Sequence, residues 1–461
     1  MTLLLEGGYF LSILSFLGGL KYLSKPKKAK LGNTLAASGM ILALGLTVVS
    51  SIMGTLPYTN LIIILGALLG GTLLGKYMSK KVEMTAMPQL VSLFNATGGA
   101  CAFLLGIVES NQEAVFEKWQ ILVLLLGVIT GAIAASGSVV AYRKLAGKTK
   151  DKRSNWVNVF SKALLLFLCV FTVAAVFNWL DISLMMYTII MVSAALMYGV
   201  LFVLPIGGAD MPVVISLLNA VTGIATAFSG VLYHNKVMIA GGIIVGAAGI
   251  LLTVLMCRAM NRSLLKVLTG SFHKSKVVVG EEKVQEITET SVSETALQLS
   301  MANKIAIIPG YGLAVAQAQH LCQQLEKLLS DKGGVVHYII HPVAGRMPGH
   351  MNVLLAEASV EYDALKEMDE VNDEMSSYDI ALIIGANDVV NPAAENNPDS
   401  PIYGMPIIKA YNCAASVILK RSMNRGYAGV QNELFDEDGC KLLFGDAKDS
   451  LQQIVNQLKL I

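Results

Sequence analysis

The sequence has little charge. Only 15% of its 461 residues are Asp, Glu, Lys or Arg, whereas 54% are hydrophobic. So much apolar surface needs lipid as its solvent, which excludes an ordinary soluble globular protein. A net charge of only +2 argues against nucleic acid as a partner. Charges are sparse up to about Met256 and ordinary beyond Glu281, which predicts two domains.

Cysteine patterns and membrane-embedded histidines are missing as well. The six cysteines include no Cys-x-x-Cys pair, so we expect all six to be free and predict no metal site. None of the six histidines lies in the long apolar runs, which therefore lack the side chain best suited to proton exchange near neutral pH. Residues 1–18 lack a basic leader and a small-residue cleavage site, so we expect a first membrane span there instead of a removed signal peptide.

Nine apolar runs are long enough to cross a bilayer as helices. Lys and Arg collect in the first, third and fifth connections between these runs, which predicts that those connections are cytoplasmic. The N-terminus would then lie outside, and everything after Arg258 would lie in the cytoplasm. The seventh connection, residues 204–210, has no basic residue and is the weak point of this orientation. The predicted spans are residues 4–20, 33–55, 59–78, 84–108, 119–141, 157–177, 183–205, 209–233 and 237–257.

A motif of ten residues at 87–96 recurs 124 residues later, at 211–220. Both copies open a span from the predicted cytoplasmic side, so the repeat is parallel, with an axis along the membrane normal. Each copy places an Asn near mid-bilayer, Asn95 and Asn219, where an amide either holds helices together or lines a wet path. Recurrence at equivalent positions favours the wet path. Asp210, at the mouth of the eighth span, is either a proton acceptor or a helix cap.

A second domain is predicted after a polar linker. The mixed charges at 263–300 indicate the linker, residues 1–262 the transmembrane domain and residues 301–461 a cytoplasmic domain. Lys304 opens a buried-strand pattern that leads into a Gly-x-Gly turn and a helix through about Leu329, an arrangement in which a pyrophosphate meets backbone N–H groups. The pattern predicts a Rossmann-like, doubly wound α/β domain of about six parallel strands. Further strands are expected at 335–340, 380–384, 406–410, 417–419 and 441–444, with a closing helix at 447–458.

A missing acid after the second strand and a basic pair after the fifth indicate the type of dinucleotide. The second strand ends at Ile340-His341, without the acid that accepts a ribose 2′-hydroxyl in an NAD site. Near the fifth strand's end, Lys420 and Arg421 could bind a 2′-phosphate through charge-assisted hydrogen bonds. This pair could also be a solvated strand end, but together the two features favour NADP over NAD.

Three more clusters at strand ends, residues 341–350, 385–389 and 424–429, combine small residues with one or two charges. Such residues suit close approach to a ligand, although each cluster could be an ordinary glycine turn.

Together these motifs resemble the beta subunit of bacterial proton-translocating NAD(P) transhydrogenase. The resemblance covers nearly the whole chain. It rests on the runs 309–312, 341–350, 385–394, 420–423 and 426–432. It implies reversible hydride transfer from NADH to NADP⁺, driven by protons that enter the cytoplasm across the inner membrane. NAD(H) would bind a separate alpha subunit, and the lipid-embedded complex would be a dimer of the heteromeric unit.

The resemblance also implies the site residues. NADP(H) would lie in reversed orientation on the sheet, under a lid around Gly426 and Tyr427. Hydride would pass directly between two nicotinamide rings, so the protein contributes positioning and exclusion of water; Asp388 and Arg346 are the candidate catalytic residues. The implied cofactor-binding residues are Gly310, Tyr311, Gly312, Val343, Ala344, Gly345, Arg346, Met347, Pro348, Gly385, Ala386, Asn387, Asp388, Val389, Gly404, Met405, Lys420, Arg421, Ser422, Met423, Asn424, Arg425, Gly426, Tyr427, Asp446 and Ala447.

Coupling would run through Asn95, Asn219, Asp210 and Arg262. Many family members carry a histidine at the position of Asn95, so we expect the titrating group to come from a helix of the partner subunit. Asn95 and Asn219 would then be polar lining. The alternative function is a transporter or channel gated by a cytoplasmic dinucleotide-sensing domain, but nothing in the spans resembles a selectivity filter.

Overall fold

The chain divides into two compact units. A computed structural model describes residues 2–23, 28–53, 57–82, 84–112, 116–149, 154–207, 210–261, 263–264, 287–346, 349–424, 426 and 428–461. The first unit comprises Met1–Gly208 and Val214–Leu252, and the second comprises Ala209–Val213 and Thr253–Ile461. We call them the helical unit and the sheet unit.

Helices occupy all nine predicted spans. Within the described residues, eight of them, α2 to α9, are long and apolar enough to cross a membrane, and the protein is a membrane protein. Helix α1 covers the first predicted span but is not among those eight. The helices are α1 (Thr2–Leu23), α2 (Ala29–Met53), α3 (Tyr58–Lys81), α4 (Met87–Ser110), α5 (Lys118–Leu145), α6 (Asn155–Val176), α7 (Leu184–Val203), α8 (Met211–Leu232) and α9 (Lys236–Ala259).

The internal repeat extends to the way helices pack. Gly99 of α4 and Gly223 of α8 are equivalent positions, 124 residues apart. A Cβ at Gly99 would lie 2.6 Å from the backbone oxygen of Gly131 in α5, and one at Gly223 would lie 2.5 Å from the backbone nitrogen of Gly246 in α9. Each copy therefore holds the helix that follows it through the same glycine, which permits close backbone approach where lipid gives no hydrophobic drive.

The two copies also contact each other. Gly98 and Thr222 are equivalent positions, and a Cβ at Gly98 would lie 3.0 Å from Thr222 Cγ2. Thr222 Oγ1 lies 3.5 Å from the backbone oxygen of Asn95. Equivalent positions face each other only beside the axis that relates them, so the axis of this parallel repeat runs between α4 and α8.

A basic residue of another helix contacts the seventh connection. Lys144 in the last turn of α5 donates through Nζ to the backbone oxygens of Leu204 and Ile206, each over 2.6 Å. Carbonyls at a helix C-terminus carry partial negative charge, which an ammonium group stabilises. The ends of α5 and α7 therefore lie on the same side of the helical unit, as the alternation of spans requires.

The sheet unit contains a parallel sheet in which six described strands lie in the order β3-β2-β1-β4-β5-β6. This confirms the predicted doubly wound α/β class. The strands are β1 (Lys304–Pro309), β2 (Val335–Ile340), β3 (Leu365–Glu367), β4 (Ile380–Ile384), β5 (Ser416–Lys420) and β6 (Cys440–Phe444). The helices are α10 (Val292–Met301), α11 (Tyr311–Ala316), α12 (Gln319–Asp331), α13 (His350–Glu357), α14 (Met368–Val371), α15 (Ala393–Asn396) and α16 (Ala447–Leu458).

Two local predictions were wrong. Residues 406–410 form no strand, because their backbone bonds to other groups: Asn372 Nδ2 donates to Ile407 O over 2.8 Å, and Ile408 N donates to Val389 O over 2.9 Å. Their buried apolar side chains imitate a strand, but the sixth strand is β3, which the sequence analysis missed. The helix after the Gly-x-Gly turn is broken, because Gln317 is left-handed at φ +50 and separates α11 from α12.

Part of the predicted linker belongs to the sheet unit. Thr290 N donates to Leu442 O over 3.0 Å, and Leu442 N donates to Thr288 O over 2.9 Å, so this segment runs beside β6. Lys441 of β6 forms an ion pair with Glu294 of α10 at 2.5 Å. Residues 265–286 of the predicted linker lie outside the described residues.

Candidate functional site

Two glycine turns meet where the strand order reverses, between β1 and β4. Gly310 N donates to Ile384 O and Gly312 N donates to Gly385 O, each over 2.9 Å. A Cβ at Gly310 would overlap the backbone of Gly385 and Ala386, and one at Gly312 would lie 2.6 Å from Gly385 Cα. Open α/β sheets bind ligands in the crevice at such a reversal. The glycines are needed here so that two backbones can touch.

The end of β2 is fixed by a buried histidine. His341 Nε2 lies 2.7 Å from Pro406 O, and Val343 N donates to His341 Nδ1 over 3.2 Å. Burial lowers the pKa of His341 to about 4. The ring is therefore neutral at neutral pH, with the proton on Nε2. This pair of bonds ties β2 to the segment that follows Met405.

The loop after β2 folds onto the Gly-x-Gly turn. The Arg346 guanidinium carbon lies 4.4 Å from the ring centroid of Tyr311, within reach of a cation–π contact. Arg346 N donates to His350 Nδ1 over 3.1 Å, and Gly345 is left-handed at φ +109, where a Cβ would press on the His350 ring. Ala344 is buried and Val343 is half-buried, whereas Met347 and Pro348 lie outside the described residues. The fold thus joins Tyr311 and Arg346.

The turn after β4 carries the segment 426–432. Ala428 N donates to Asp388 Oδ2 over 2.9 Å, and Asn432 Nδ2 donates to Asn387 O over 3.2 Å. Asn387 Nδ2 donates in turn to Asp388 Oδ1 over 2.9 Å. A Cβ at Gly426 would overlap Asp388 Oδ1. The described residues of this segment therefore lie directly on Asn387 and Asp388, while Arg425 and Tyr427 lie outside the described residues.

The two basic residues at the end of β5 differ in burial. Lys420 is half-buried, its Nζ donates to Asn387 Oδ1 over 3.3 Å, and Nζ lies 4.5 Å from the ring centroid of Phe435. Burial lowers the pKa of Lys420, and the Asp388 carboxylate opposes that shift. The residues that follow, Arg421, Ser422, Met423 and Asn424, are exposed.

The end of β6 completes this edge of the sheet. Gly445 N donates to Lys420 O over 3.1 Å. Asp446 caps α16, because its Oδ1 accepts from Lys448 N over 3.0 Å, and Ala447 is the first residue of that helix. Gly404 is left-handed at φ +76, and Met405 beside it is buried. The described candidates from β1, β4, β5 and β6 therefore share the carboxyl edge of one sheet.

Four residues outside the predicted cofactor-binding set belong to this arrangement. Asn391 is fully buried and bonds to both Gln431 O and Glu433 N, and Asn432 and Phe435 hold Asn387 and Lys420. His350 Nε2 is buried without a hydrogen-bond partner among the described residues. Asn391, Asn432 and His350 lie in motifs already identified in the sequence, whereas no local signal marked Phe435. The edge offers backbone N–H groups, an ammonium, a guanidinium and ring faces, which suit a planar, anionic ligand.

The predicted polar residues of the helical unit differ in burial. Asn95 is 6% exposed, and its Nδ2 has no hydrogen-bond partner among the described residues. The same holds for Ser92 Oγ in α4 and Ser138 Oγ in α5, neither of which the sequence analysis named. Asn219 is half-buried in α8. In the sheet unit, Asp210 is buried just before α8, and Arg262 lies outside the described residues.

Comparison with known proteins agrees with these features. A family model described as NAD(P) transhydrogenase beta subunit matches residues 5–457. Two proteins named NAD(P) transhydrogenase subunit beta, from Rhodospirillum rubrum and from its strain ATCC 11170, are each 39% identical to the chain over 461 residues. Each alignment covers 98% of this chain and 98% of the relative. The chain therefore belongs to the NAD(P) transhydrogenase beta-subunit family.

Proposed function

We propose that the chain is the NADP(H)-binding membrane subunit of its enzyme and couples hydride transfer between NADH and NADP⁺ to proton translocation. Membership of the family makes it part of a transhydrogenase, an enzyme that uses both nicotinamide nucleotides, with an alpha subunit as its partner. The proposal adds that NADP(H) binds this chain and NAD(H) binds the partner. It also adds that protons drive the exchange.

The surroundings of Lys420 are the main observation in favour of NADP(H). Its ammonium is partly desolvated between Asn387 and Phe435, with the exposed Arg421 beside it. A cation held in this way gains more from a 2′-phosphate than a free surface lysine would, because it loses less freedom and less hydration on binding.

The chain's own residues would position the nucleotide and exclude water. A bound nicotinamide supplies the hydride chemistry. Asp388 holds the lid segment through Ala428 N, and Asn391 holds its far end through Gln431 O. Opening the lid must break these bonds, so the closed form keeps water from the site. Arg346, stacked on Tyr311, would close the other side.

Proton coupling is proposed for the polar residues of the membrane helices. A buried amide or hydroxyl without a partner costs about 1–3 kcal/mol, so such groups persist where water or a proton meets them. Asn95, Ser92 and Ser138 carry atoms of this kind. The titrating group itself would come from a helix of the alpha subunit. Protonation relayed through Asn219, Asp210 and Arg262 would change how tightly NADP(H) is held, and nucleotide binding would change proton affinity by the same factor.

The orientation places the N-terminus outside and the sheet unit in the cytoplasm of a bacterium, with the complex a dimer of the heteromeric unit in the inner membrane. The basic first, third and fifth connections support this orientation. The contact from Lys144 to Leu204 and Ile206 adds a cation to the seventh connection, on the same side.

Equilibrium binding of NADPH and NADH to the full chain in detergent tests the nucleotide assignment. We expect clear preference for NADPH, and we expect Lys420→Met to weaken NADPH binding by about 10- to 100-fold, the range for a lost hydrogen bond to a charged group. NADH binding should not change. Lys327→Met, an exposed lysine on α12, serves as the matched control.

Equal affinity for both nucleotides with Lys420 intact would contradict the assignment. A second measurement adds the alpha subunit with NADH and an NADP⁺ analogue. Absence of hydride exchange in that mixture would favour the alternative, a channel or transporter gated by a dinucleotide.

A further inference from the structure

The repeat can be followed past its ten-residue motif to the C-terminal ends of α4 and α8. Glu109 and Tyr233 are 124 residues apart and are therefore equivalent positions, each 14 residues after its Asn. The pair stands at the opposite end of the repeat axis from the motif. One copy thus carries an acid where the other carries a phenol.

Contacts at this end bring Tyr233 to α4, one turn before Glu109. The Tyr233 hydroxyl donates to Leu105 O over 3.3 Å, and Gln112 Nε2 donates to Glu109 Oε2 over 2.9 Å. Burial and the neighbouring Glu109 raise the pKa of Tyr233 to about 12. Tyr233 is therefore a neutral phenol near pH 7, and its single proton is the one donated to Leu105 O.

Hydroxyl groups follow the repeat axis between these two ends. Thr222, Thr226 and Ser229 are spaced by four and three residues, which puts them with Tyr233 on one face of α8. Each hydroxyl donates to a backbone oxygen of its own helix, over 2.9 to 3.1 Å. Every oxygen therefore keeps lone pairs that can accept a hydrogen bond from water.

The residues of α4 that are equivalent to the first two hydroxyl residues of α8 are small. Gly98 and Ala102 are the equivalents of Thr222 and Thr226. Contacts at Gly98 and at Leu105 show that α4 and α8 are adjacent over this whole length. The inner end of the seam is the buried Nδ2 of Asn95, a donor without a partner among the described residues. We call this stretch, from Asn95 to Glu109 between α4 and α8, the axial seam.

A cavity reaches the same end of α4. Its volume is about 410 Å³, and it is lined by Ser110, Asn111, Gln112, Phe116 and Ser183 among others. Gln112 both lines this cavity and bonds to Glu109. Water in the cavity therefore has a polar route to the Glu109 carboxylate.

We propose that the axial seam is the outer half of the proton path and that Glu109 is the group that takes protons from the outer solution. This rests on the proton translocation and the orientation proposed above. Protonated Glu109 releases its proton to water between the hydroxyls of α8, the proton moves along that water to Asn95, and the carboxylate is protonated again from the cavity. Tyr233 is a positioning residue that ties the end of α8 to α4 through Leu105, beside Glu109 at the mouth of the seam.

Proton movement into liposomes that contain the full chain with its alpha subunit tests this proposal. We expect Glu109→Gln to slow hydride-driven proton movement by about tenfold or more, as for loss of a positioned acid. Glu109→Asp should restore about half of the rate or more, because it keeps the acid. NADPH binding should be unchanged in both variants. Glu117→Gln is the matched control, because Glu117 caps α5 and has no position in the seam.

The outcomes separate the two proposals. If the unaltered enzyme moves no protons, the proposed function fails; if it moves protons and Glu109→Gln moves them equally fast, the axial seam fails as the path. Should Glu109→Gln not fold, Thr226→Val decides, because it keeps the side-chain shape and removes only the hydroxyl. We expect it to slow proton movement by about threefold to tenfold and Thr226→Ser to restore it; an unchanged Thr226→Val rate would overturn the proposal.

Discussion

The candidate site and the polar positions in α4 and α5 differ in how their polar side chains are bonded. In the sheet unit, Asn387, Asp388 and Asn391 each bond to a neighbouring loop. In the helical unit, Asn95 and Ser138 bury polar atoms that have no partner among the described residues. A satisfied network holds one geometry, whereas an unsatisfied group gains only when water reaches it. The bonded network suits the ligand site proposed for the sheet unit, and the unsatisfied groups suit the proton path proposed for the helical unit.

The sheet unit also buries three polar atoms without a partner among the described residues, on Gln298, Gln319 and His350. Of these residues, His350 lies beside Tyr311 and Arg346, two of the candidate cofactor-binding residues. A ligand bound there would supply the bond that His350 Nε2 lacks.

The strongest way to break the sheet unit is to separate its two glycine turns. Gly310→Ala would put a Cβ into the backbone of Gly385 and Ala386, neither of which can rotate away. We expect the full chain to lose about 3 kcal/mol of stability or more and NADPH binding to fall by at least about 100-fold. Thermal denaturation and NADPH titration measure both. Gly334→Ala, whose Cβ would meet its neighbours at 3.2 Å or more, is the control and should bind normally.

Acid should weaken the sheet unit through His341. Its folded pKa of about 4 lies below the unfolded value of about 6.5, so the unfolded state binds more protons between these values. The stabilisation that neutral His341 provides is complete above pH 6.5 and is lost as the pH falls toward 4. At pH 5 the free energy of unfolding is lower by about 2 kcal/mol than at neutral pH. Hydrogen exchange of residues 335–345 in the full chain, corrected for its intrinsic pH dependence, measures this loss. His341→Gln should remove most of it, whereas the exposed His320→Gln should not.

Asn95→Leu sharpens the contrast in the helical unit. If the amide serves the proton path, proton movement should fall by about tenfold while stability stays equal or rises by about 1 kcal/mol, since an unsatisfied group is removed. If Asn95 only holds helices together, stability should fall and proton movement should follow protein yield. Reconstituted proton movement and thermal denaturation of the same preparation distinguish these cases. Unchanged proton movement would refute the role of Asn95.

Much of the fold was predictable because it depends on local properties. Span length, the strand before Gly310, the turn at Gly385 and the final helix all follow from hydrophobic runs and from glycine. The wrong strand at 406–410 shows the limit of that approach. Burial of Ile407 and Ile408 produces an apolar run, but only the three-dimensional contacts with Asn372 and Val389 decide that the run is not paired in a sheet.

The sequence identified which residues are candidates for the site, but it did not show how they are arranged in space. Lys420 and Arg421 are adjacent and alike in sequence, yet one ammonium is held by Asn387 and Phe435 while the guanidinium is exposed. Burial depends on which other segments fold over a position, and no property of the two residues themselves contains that information.

The sequence by itself determined a lipid-embedded helical region, a Rossmann-like domain after it and a repeat whose copies differ by 124 positions. Hydrophobicity, backbone sterics and periodicity act over a few residues, so a single chain displays them directly. Only the tertiary structure decided that Gly310 touches Gly385, that Arg346 stacks on Tyr311 and that Tyr233 bonds to Leu105. Those pairings depend on how distant segments pack together, which is decided by the whole fold.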